Sequence, residues 1–228
     1  MILKRKLTKK KKIVLTVVCT GAGIILILPA VIVFLLTRTP AYYKPLEPPN
    51  RVEVSPYLTN YIAPEIHNKS QLGEPFELVI TEAGLNDIIA RGPWPMTSGI
   101  ASVTLPAARL SEGRAVLMAT IKYGPASAIW TATMNPSIDE SGLLCVNLEK
   151  ITAGALEVTG FAKKAIEEII SANAGKIDTT WADNISAALL ENKPFEPVFT
   201  AYENEVQLTG IDISDGKAVL RLSPQAKR

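Results

Sequence analysis

The sequence predicts an α+β protein with an N-terminal transmembrane helix and an ectodomain in which a long-stranded, curved antiparallel sheet packs on amphipathic helices. Three observations predict this class. The chain has one long apolar run near its N-terminus, several pairs of alternating segments joined by short Gly-containing turns, and one apolar stripe with helical spacing. With 228 residues, it is long enough for one anchor and one domain with its own core.

The N-terminal 36 residues have the composition of a membrane anchor. Residues 1–12 contain seven Lys or Arg side chains and no acid, and we interpret them as a basic cytoplasmic tail. Residues 13–36 contain no charge. At about 1.5 Å per residue, a helix of this length crosses a hydrocarbon core of about 30 Å. A cleaved signal peptide would have a shorter apolar region and small residues at its cleavage site. Because lysines precede the span, we expect a single pass through the cell membrane, with a cytoplasmic N-terminus and an extracytoplasmic domain.

The charge of the remaining chain argues against nucleic acid as a partner. Residues 39–228 contain 16 basic and 22 acidic side chains, a net charge of −6 (16 − 22). A domain of this sign repels phosphate backbones. Its single cysteine, Cys145, allows no internal disulfide, which favours a bacterial envelope protein over a secreted animal domain.

A Pro-rich linker, residues 37–56, precedes the ectodomain, residues 57–228. The linker contains Pro40, Pro45, Pro48, Pro49 and Pro56. A segment of this composition is stiff and extended, so we expect a spacer that lifts the domain off the bilayer.

The segment FELVITEAGLNDIIARG, residues 76–92, changes period halfway. Apolar residues alternate from Phe76 to Ile80, as in a strand. Thr81 can then cap a helix that ends at Gly92. The apolar face of this helix consists of Leu85, Ile88 and Ile89.

Three hairpins are predicted by turn signals at residues 111–113, 139–142 and 214–216. Their strands are long and antiparallel. We expect a bulge or bend at Gly210, where the apolar parity of the last hairpin switches. Small residues recur at positions that we expect to point inward, namely Ala115, Ala119, Ala128 and Ala132.

Two helices are predicted between the second and third hairpins. The first carries the apolar stripe Phe161, Ala165, Ile166, Ile169 and Ile170. The second begins near Asp178 or Thr179 and ends before Pro194.

The sequence gives little support for catalysis. His67 is the only histidine, and Cys145 lies among apolar strand residues where a thiolate is costly. The usual zinc ligand sets and a Gly-rich phosphate loop are missing from the sequence, so we expect no enzyme, no metal and no cofactor. A glycan hydrolase with one carboxylate pair among the 22 acids stays as an alternative.

The helical stripe and the sheet allow two arrangements. If the helix does not fill the concave side of the sheet, an elongated apolar channel remains. In the other arrangement the small inward residues fit the helix tightly and the site is an ordinary core. The channel arrangement predicts a hydrophobic ligand lined by Leu85, Ile88, Ile89, Trp130, Met134, Phe161, Ile166, Ile169 and Ile170.

One stretch resembles a known family. The run FELVITEAGLND, with its strand, Thr-Glu turn and Leu-Asn helix start, resembles the opening of uncharacterised single-pass bacterial membrane proteins of the YpmS type. The later GLLCVNLEKITAGALEV and the closing Val/Leu hairpin are similar in order, over roughly residues 70–223. More distantly, the pattern resembles small tubular lipid-binding (TULIP-like) domains, in which a curved sheet wraps a long helix around an acyl chain. Gly175 interrupts the helical stretch and departs from that single long helix.

The resemblance implies the handling of a lipid or another hydrophobic ligand without catalysis. We therefore expect an envelope protein tethered by one helix whose ectodomain binds such a ligand. The alternative is a structural or interaction subunit that docks to other membrane or envelope proteins through sheet edges or an apolar patch.

Overall fold

The structure, a computed structural model, describes residues 27–47, 50, 53–160, 162–164, 167, 179–201 and 204–225. Within these residues the predicted class is confirmed, because the fold is α+β with long antiparallel sheets. The basic tail, most of the predicted span and most of the 161–170 stripe lie outside the described residues.

The described strands form two antiparallel sheets. The small sheet has the order β1-β10-β9-β8, and the large sheet has the order β2-β3-β4-β5-β6-β7. The strands are β1 (Phe76–Thr81), β2 (Met96–Ser98), β3 (Ala101–Ser111), β4 (Arg114–Tyr123), β5 (Ala126–Ile138), β6 (Leu144–Ala153), β7 (Leu156–Glu157), β8 (Val198–Ala201), β9 (Asn204–Ser214) and β10 (Lys217–Pro224).

Several helices accompany the strands. Residues 27–36 form the described part of α1. The other helices are α2 (Ala63–Ser70), which follows a π-helical turn (Leu58–Ile62), α3 (Glu82–Ala90), α4 with described helical residues 159–160, 162–164 and 167, and α5 (Thr179–Glu191). In the described part of the chain, none of the helices has the length and apolarity needed to span a membrane.

The strand and helix predicted for residues 76–92 are confirmed as β1 and α3. The Thr81 hydroxyl caps α3 by accepting a hydrogen bond from the Gly84 N–H at 3.1 Å. Ile80 and Leu85, on either side of this cap, both pack against Leu110 and its buried neighbours.

All three predicted hairpins are also confirmed, as β3–β4, β5–β6 and β9–β10. The β9–β10 register shifts between Arg221 and Leu222, whose partners are Gly210 and Leu208. The irregularity expected at Gly210 is therefore present at this point of the ladder.

The sequence led us to expect one curved sheet, whereas the structure has two. The reason lies at the outer edge of β3, where α3 packs beyond the short pairing with β2. Side chains of α3 bind the backbone of Ala108 and Leu110 at this edge. No further strand can pair there, so β1 joins the C-terminal hairpin in a sheet of its own.

The core lies where the two sheets meet. Leu110 of the large sheet packs with Ile213 and Ala218 of the small sheet. A second cluster includes Leu78, Val206 and Leu222 of the small sheet. On the other side, Ala188 of α5 packs with Leu144 and Phe195, which confirms the second predicted helix as a core element.

Candidate functional site: an open apolar groove

The two central strands of the large sheet, β4 and β5, have two very different faces. Only Met118 of β4 and Thr131 of β5 are buried in these strands, and they are cross-strand partners on one face. We call this the covered face. The opposite, open face consists of Ala115, Leu117, Ala119 and Ile121 of β4 with Ala128, Trp130, Ala132 and Met134 of β5.

The linker, which the sequence predicts to be a spacer, binds to the covered face. The Tyr43 hydroxyl donates a hydrogen bond to the Leu105 carbonyl at 2.7 Å and lies 2.9 Å from the Thr120 hydroxyl. The ring of Tyr42 lies under the Arg109 guanidinium, 5.0 Å from ring centroid to Cζ. The linker is therefore anchored to the sheet, and it makes a turn closed by the hydrogen bond from the Tyr43 N–H to the Pro40 carbonyl at 3.0 Å, so the expectation of a purely extended spacer is not met here.

A bulge in β3 makes the Leu105 carbonyl available to Tyr43. The register of β3 against β4 shifts between Thr104 and Ala107, and Leu105 has a positive φ of 52°. Pro106 has no N–H to donate to the ladder. Burial raises the pKa of the Tyr43 hydroxyl, although its hydrogen bond to Thr120 acts in the opposite direction.

The end of α1 is fixed to the same sheet. The N–H of Ala155, in the β6–β7 turn, donates to the Leu35 carbonyl at 2.9 Å. Gly154 has a φ of 58°, and an added Cβ would collide with the carbonyls of Leu35 and Leu36. A glycine is therefore required where the helix meets the turn.

The open face is the floor of a groove. Ala108, Leu117, Ala132 and Ile151 lie in one row across four neighbouring strands. The outer members, Ala108 and Ile151, are 4% and 1% exposed, whereas Leu117 is 42% exposed. None of the eight open-face residues is buried. In this row the outer strands are thus covered and Leu117 between them is accessible, and the row is about 14 Å wide for three strand spacings.

The structure places two of the predicted lining residues in this groove. Trp130 and Met134 are both half-buried on the open face, and their cross-strand partners include Ala119 and Ala115. Leu85 packs near the same end, because it contacts the Leu110 cluster against which Ala115 also packs. Ile88 and Ile89 are half-buried on α3. The remaining four, Phe161, Ile166, Ile169 and Ile170, lie outside the described residues.

The inward assignment of four alanines is confirmed at Ala115, while the other three are half-buried. The sequence led us to expect that Ala115, Ala119, Ala128 and Ala132 point into the protein interior. They do share a face and each is half-buried, and Ala115 packs against the buried cluster of Leu110, Ile213 and Ala218, whereas the fully buried Met118 belongs to the other face. Tyr43 of the linker is hydrogen-bonded to Thr120, on the face that alternation alone would leave to solvent.

The polar side chains near the groove are occupied by structural contacts. The Ser55 hydroxyl donates to Asp87, and this bond lowers the pKa of the carboxyl more than the nearby Arg91 does, while burial opposes both. Glu82 accepts from the Leu110 N–H at 2.8 Å. His67 lies on α2 beside Gln71, and Cys145 lies on β6 with Asp139 3.9 Å from its sulfur. Among the described residues, no group of three or more His, Cys, Asp or Glu could hold a metal ion.

Comparison with family models, with curated proteins and with solved structures found no match. The function of the groove is therefore inferred from its geometry alone. Sequence reasoning missed Leu117 as an exposed floor residue and Tyr43 as a sheet contact. Alternation along β4 correctly placed Leu117 on the same face as Ala115 and Ala119. It could not show whether that face is a groove floor or a packed core, because this depends on the burial of the neighbouring strands β3 and β6.

Proposed function

We propose that this chain is a membrane-anchored extracytoplasmic protein whose ectodomain binds a lipid acyl chain or a similar hydrophobic ligand in the open groove, without catalysis. The observation that carries the proposal is the row Ala108–Leu117–Ala132–Ile151, in which accessible apolar residues lie between buried ones. An apolar surface of this shape favours an elongated apolar ligand.

The composition of the floor supports an acyl chain over a polar ligand. The eight open-face residues carry no charge, and four of them are alanines. Small side chains leave room above the sheet, which would curve around the occupant. Burying the ligand contributes about 25 cal/mol per Å² of apolar surface, opposed by the cost of ordering it.

The membrane part of the proposal is supported by the sequence of residues 1–36 and by the described helix at 27–36. Large side chains of this helix, among them Ile27, Val33 and Phe34, are more than half exposed. A helix with such a surface is stabilised by a hydrocarbon environment.

Photo-crosslinking tests the proposal. The full chain is reconstituted in lipid nanodiscs with a diazirine-bearing fatty acid, irradiated and digested, and the adducts are mapped by mass spectrometry. We expect adducts on peptides of β4 and β5 in addition to those on the anchor. Adducts confined to the anchor would rule out the groove as the binding site.

Two variants sharpen this experiment. Leu117→Gln places an amide on the floor and Ala132→Phe fills the space beside it, so both should reduce adducts on β4 and β5. Leu72→Gln is the matched control, because Leu72 is 74% exposed and lies after α2, away from the groove. Equal labelling of all three variants would count against the groove.

A further inference from the structure

Two turns at one end of the large sheet expose large apolar side chains. Ile100, in the β2–β3 turn, is 65% exposed, and Tyr123, at the β4–β5 turn, is 62% exposed. The two turns are joined by a hydrogen bond from the Gly124 N–H to the Ile100 carbonyl at 3.1 Å. Together they form one surface, which we call the turn end.

The turn end lies on the side of the sheet where α1 is attached. Gly154, beside the attachment point at Ala155, donates its N–H to the Ile129 carbonyl at 2.8 Å. Strand β5 begins at Ala126, three residues before Ile129. The β4–β5 turn therefore extends about 10 Å past the level where the helix meets the sheet.

The charge of this end differs from that of the domain as a whole. Residues 92–108 contain no charged side chain, and residues 115–138 contain only Lys122. These segments form β2, most of β3 and nearly all of β4 and β5. In a domain with a net charge of −6 for residues 39–228 (16 − 22), the strands that form the turn end thus contribute no acid to it. An anionic lipid surface repels acids and attracts lysine.

We propose that the turn end docks into the bilayer surface, with Ile100 and Tyr123 at the level of the lipid headgroups. This inference rests on the proposed membrane anchor. Tyrosine is enriched at membrane–water interfaces because its ring is apolar and its hydroxyl is polar. The anchor holds the sheet close to the lipid, and the turn end provides a second point of contact that fixes its orientation.

The proposed docking also indicates where the groove's ligand comes from, namely the outer leaflet. Leu117, Ala119, Ile121 and Tyr123 alternate along β4 on the same face, so the groove floor continues without a charge to the turn end. An acyl chain can therefore enter the groove from the outer leaflet itself, without crossing a polar surface.

Environment-sensitive labels test this inference on the full chain in liposomes. Single cysteines replace Ile100 or Tyr123 in a Cys19→Ser, Cys145→Ser background and are labelled with the fluorophore NBD. Glu140→Cys is the matched control, because Glu140 is exposed in the β5–β6 turn at the opposite end of β5. We expect a blue shift and quenching by brominated lipid at positions 100 and 123, with neither effect at position 140.

The same samples separate the two proposals. Flotation of the liposomes in a density gradient reports insertion of the anchor, and quenching reports contact of the turn end. A chain that floats with labels at 100 and 123 behaving like the one at 140 overturns the docking and leaves the anchor intact. A chain that does not float overturns both.

Discussion

The side-chain amide of Asn86 and the backbone of Ala108 are joined by two hydrogen bonds, one in each direction. The Ala108 N–H donates to Asn86 Oδ1 at 2.7 Å, and Asn86 Nδ2 donates to the Ala108 carbonyl at 2.8 Å. The amide thus takes the place of a neighbouring strand at the edge of β3. Its second N–H donates to the Glu82 carbonyl at 2.9 Å and fixes the amide to α3.

Leu110, two residues further along the same edge of β3, also has both backbone groups hydrogen-bonded. Leu110 donates its N–H to the Glu82 carboxylate at 2.8 Å and accepts at its carbonyl from the Gly216 N–H at 2.9 Å. These contacts close the edge and fix α3, the hairpin β9–β10 and the large sheet in one arrangement. The polar residues of the TEAGLND run therefore have structural partners.

Asn86→Ala should destabilise the fold by about 2–3 kcal/mol, because both backbone groups of the buried Ala108 lose their partner. Urea denaturation of the full chain in mild detergent measures this change in the free energy of unfolding. Asn147→Ala, at an exposed position of β6, is the control and should have little effect. Equal stability of the two variants would show that water replaces the amide.

Gly84→Ala should destabilise the protein by about 1–3 kcal/mol, although alanine favours helices. An added Cβ would collide with the Tyr57 ring. The ring cannot move aside easily, because the Tyr57 hydroxyl accepts from the Thr81 N–H at 3.0 Å and donates to the Val79 carbonyl at 3.3 Å.

Gly160→Ala is the matched control for this prediction, since a Cβ there meets no atom within 4 Å. Thermal unfolding should show a lower midpoint for the Gly84 variant and an unchanged or higher one for the control. An unchanged midpoint for both would mean that Tyr57 repacks freely.

Thr131→Val should stabilise the protein by about 1 kcal/mol, because valine has the same shape without the hydroxyl. Thr131 is buried on the covered face, and its Oγ1 has no hydrogen-bond partner among the described residues. Thr133→Val, on the same face but half-buried, should change stability less. Loss of stability in the first variant would reveal a bound water or another partner for this hydroxyl.

Asp87→Asn should weaken the acid dependence of stability. The hydrogen bond from Ser55 holds the pKa of Asp87 below its ordinary value, so the folded state favours the ionised carboxyl. This contribution is present above the unfolded pKa of about 3.9 and is lost as the pH falls through the folded pKa. The free energies of unfolding of the wild-type and variant chains should therefore converge below about pH 4.

Denaturation curves between neutral pH and about pH 3 measure this convergence. Asp212→Asn, at an exposed position of β9, is the control. If the free energies of unfolding of wild type and Asp87→Asn differed by the same amount across this range, the Asp87 carboxyl would not contribute to the acid dependence of stability.

Tyr43→Phe should cost about 1–2 kcal/mol at neutral pH, because the contacts to Leu105 and Thr120 are lost. The pKa of Tyr43 is raised in the folded state, so its contribution is present below the unfolded pKa of about 10 and is lost as the pH rises through the folded pKa. Wild type should thus lose stability above about pH 10 more steeply than the variant. Tyr123→Phe, at a highly exposed residue, is the control.

Local patterns of the sequence determined a large part of the fold. The alternation before Thr81 and the helical spacing after it predicted β1 and α3, because a capping hydroxyl and a change of period act within a few residues. The Gly-containing turns predicted three hairpins for the same reason. Alternation along β4 and β5 placed Trp130 and Met134 on one face.

Tertiary contacts decided which face of the sheet is open and how many sheets there are. The attachment of the linker to the covered face depends on Tyr43 reaching Thr120, 77 residues later in the chain (120 − 43), and the separation of the sheets depends on Asn86 reaching Ala108. A sequence pattern reports which side chains share a surface, since this follows from backbone periodicity. What covers that surface depends on contacts between residues far apart in the chain, and periodicity contains no information about them.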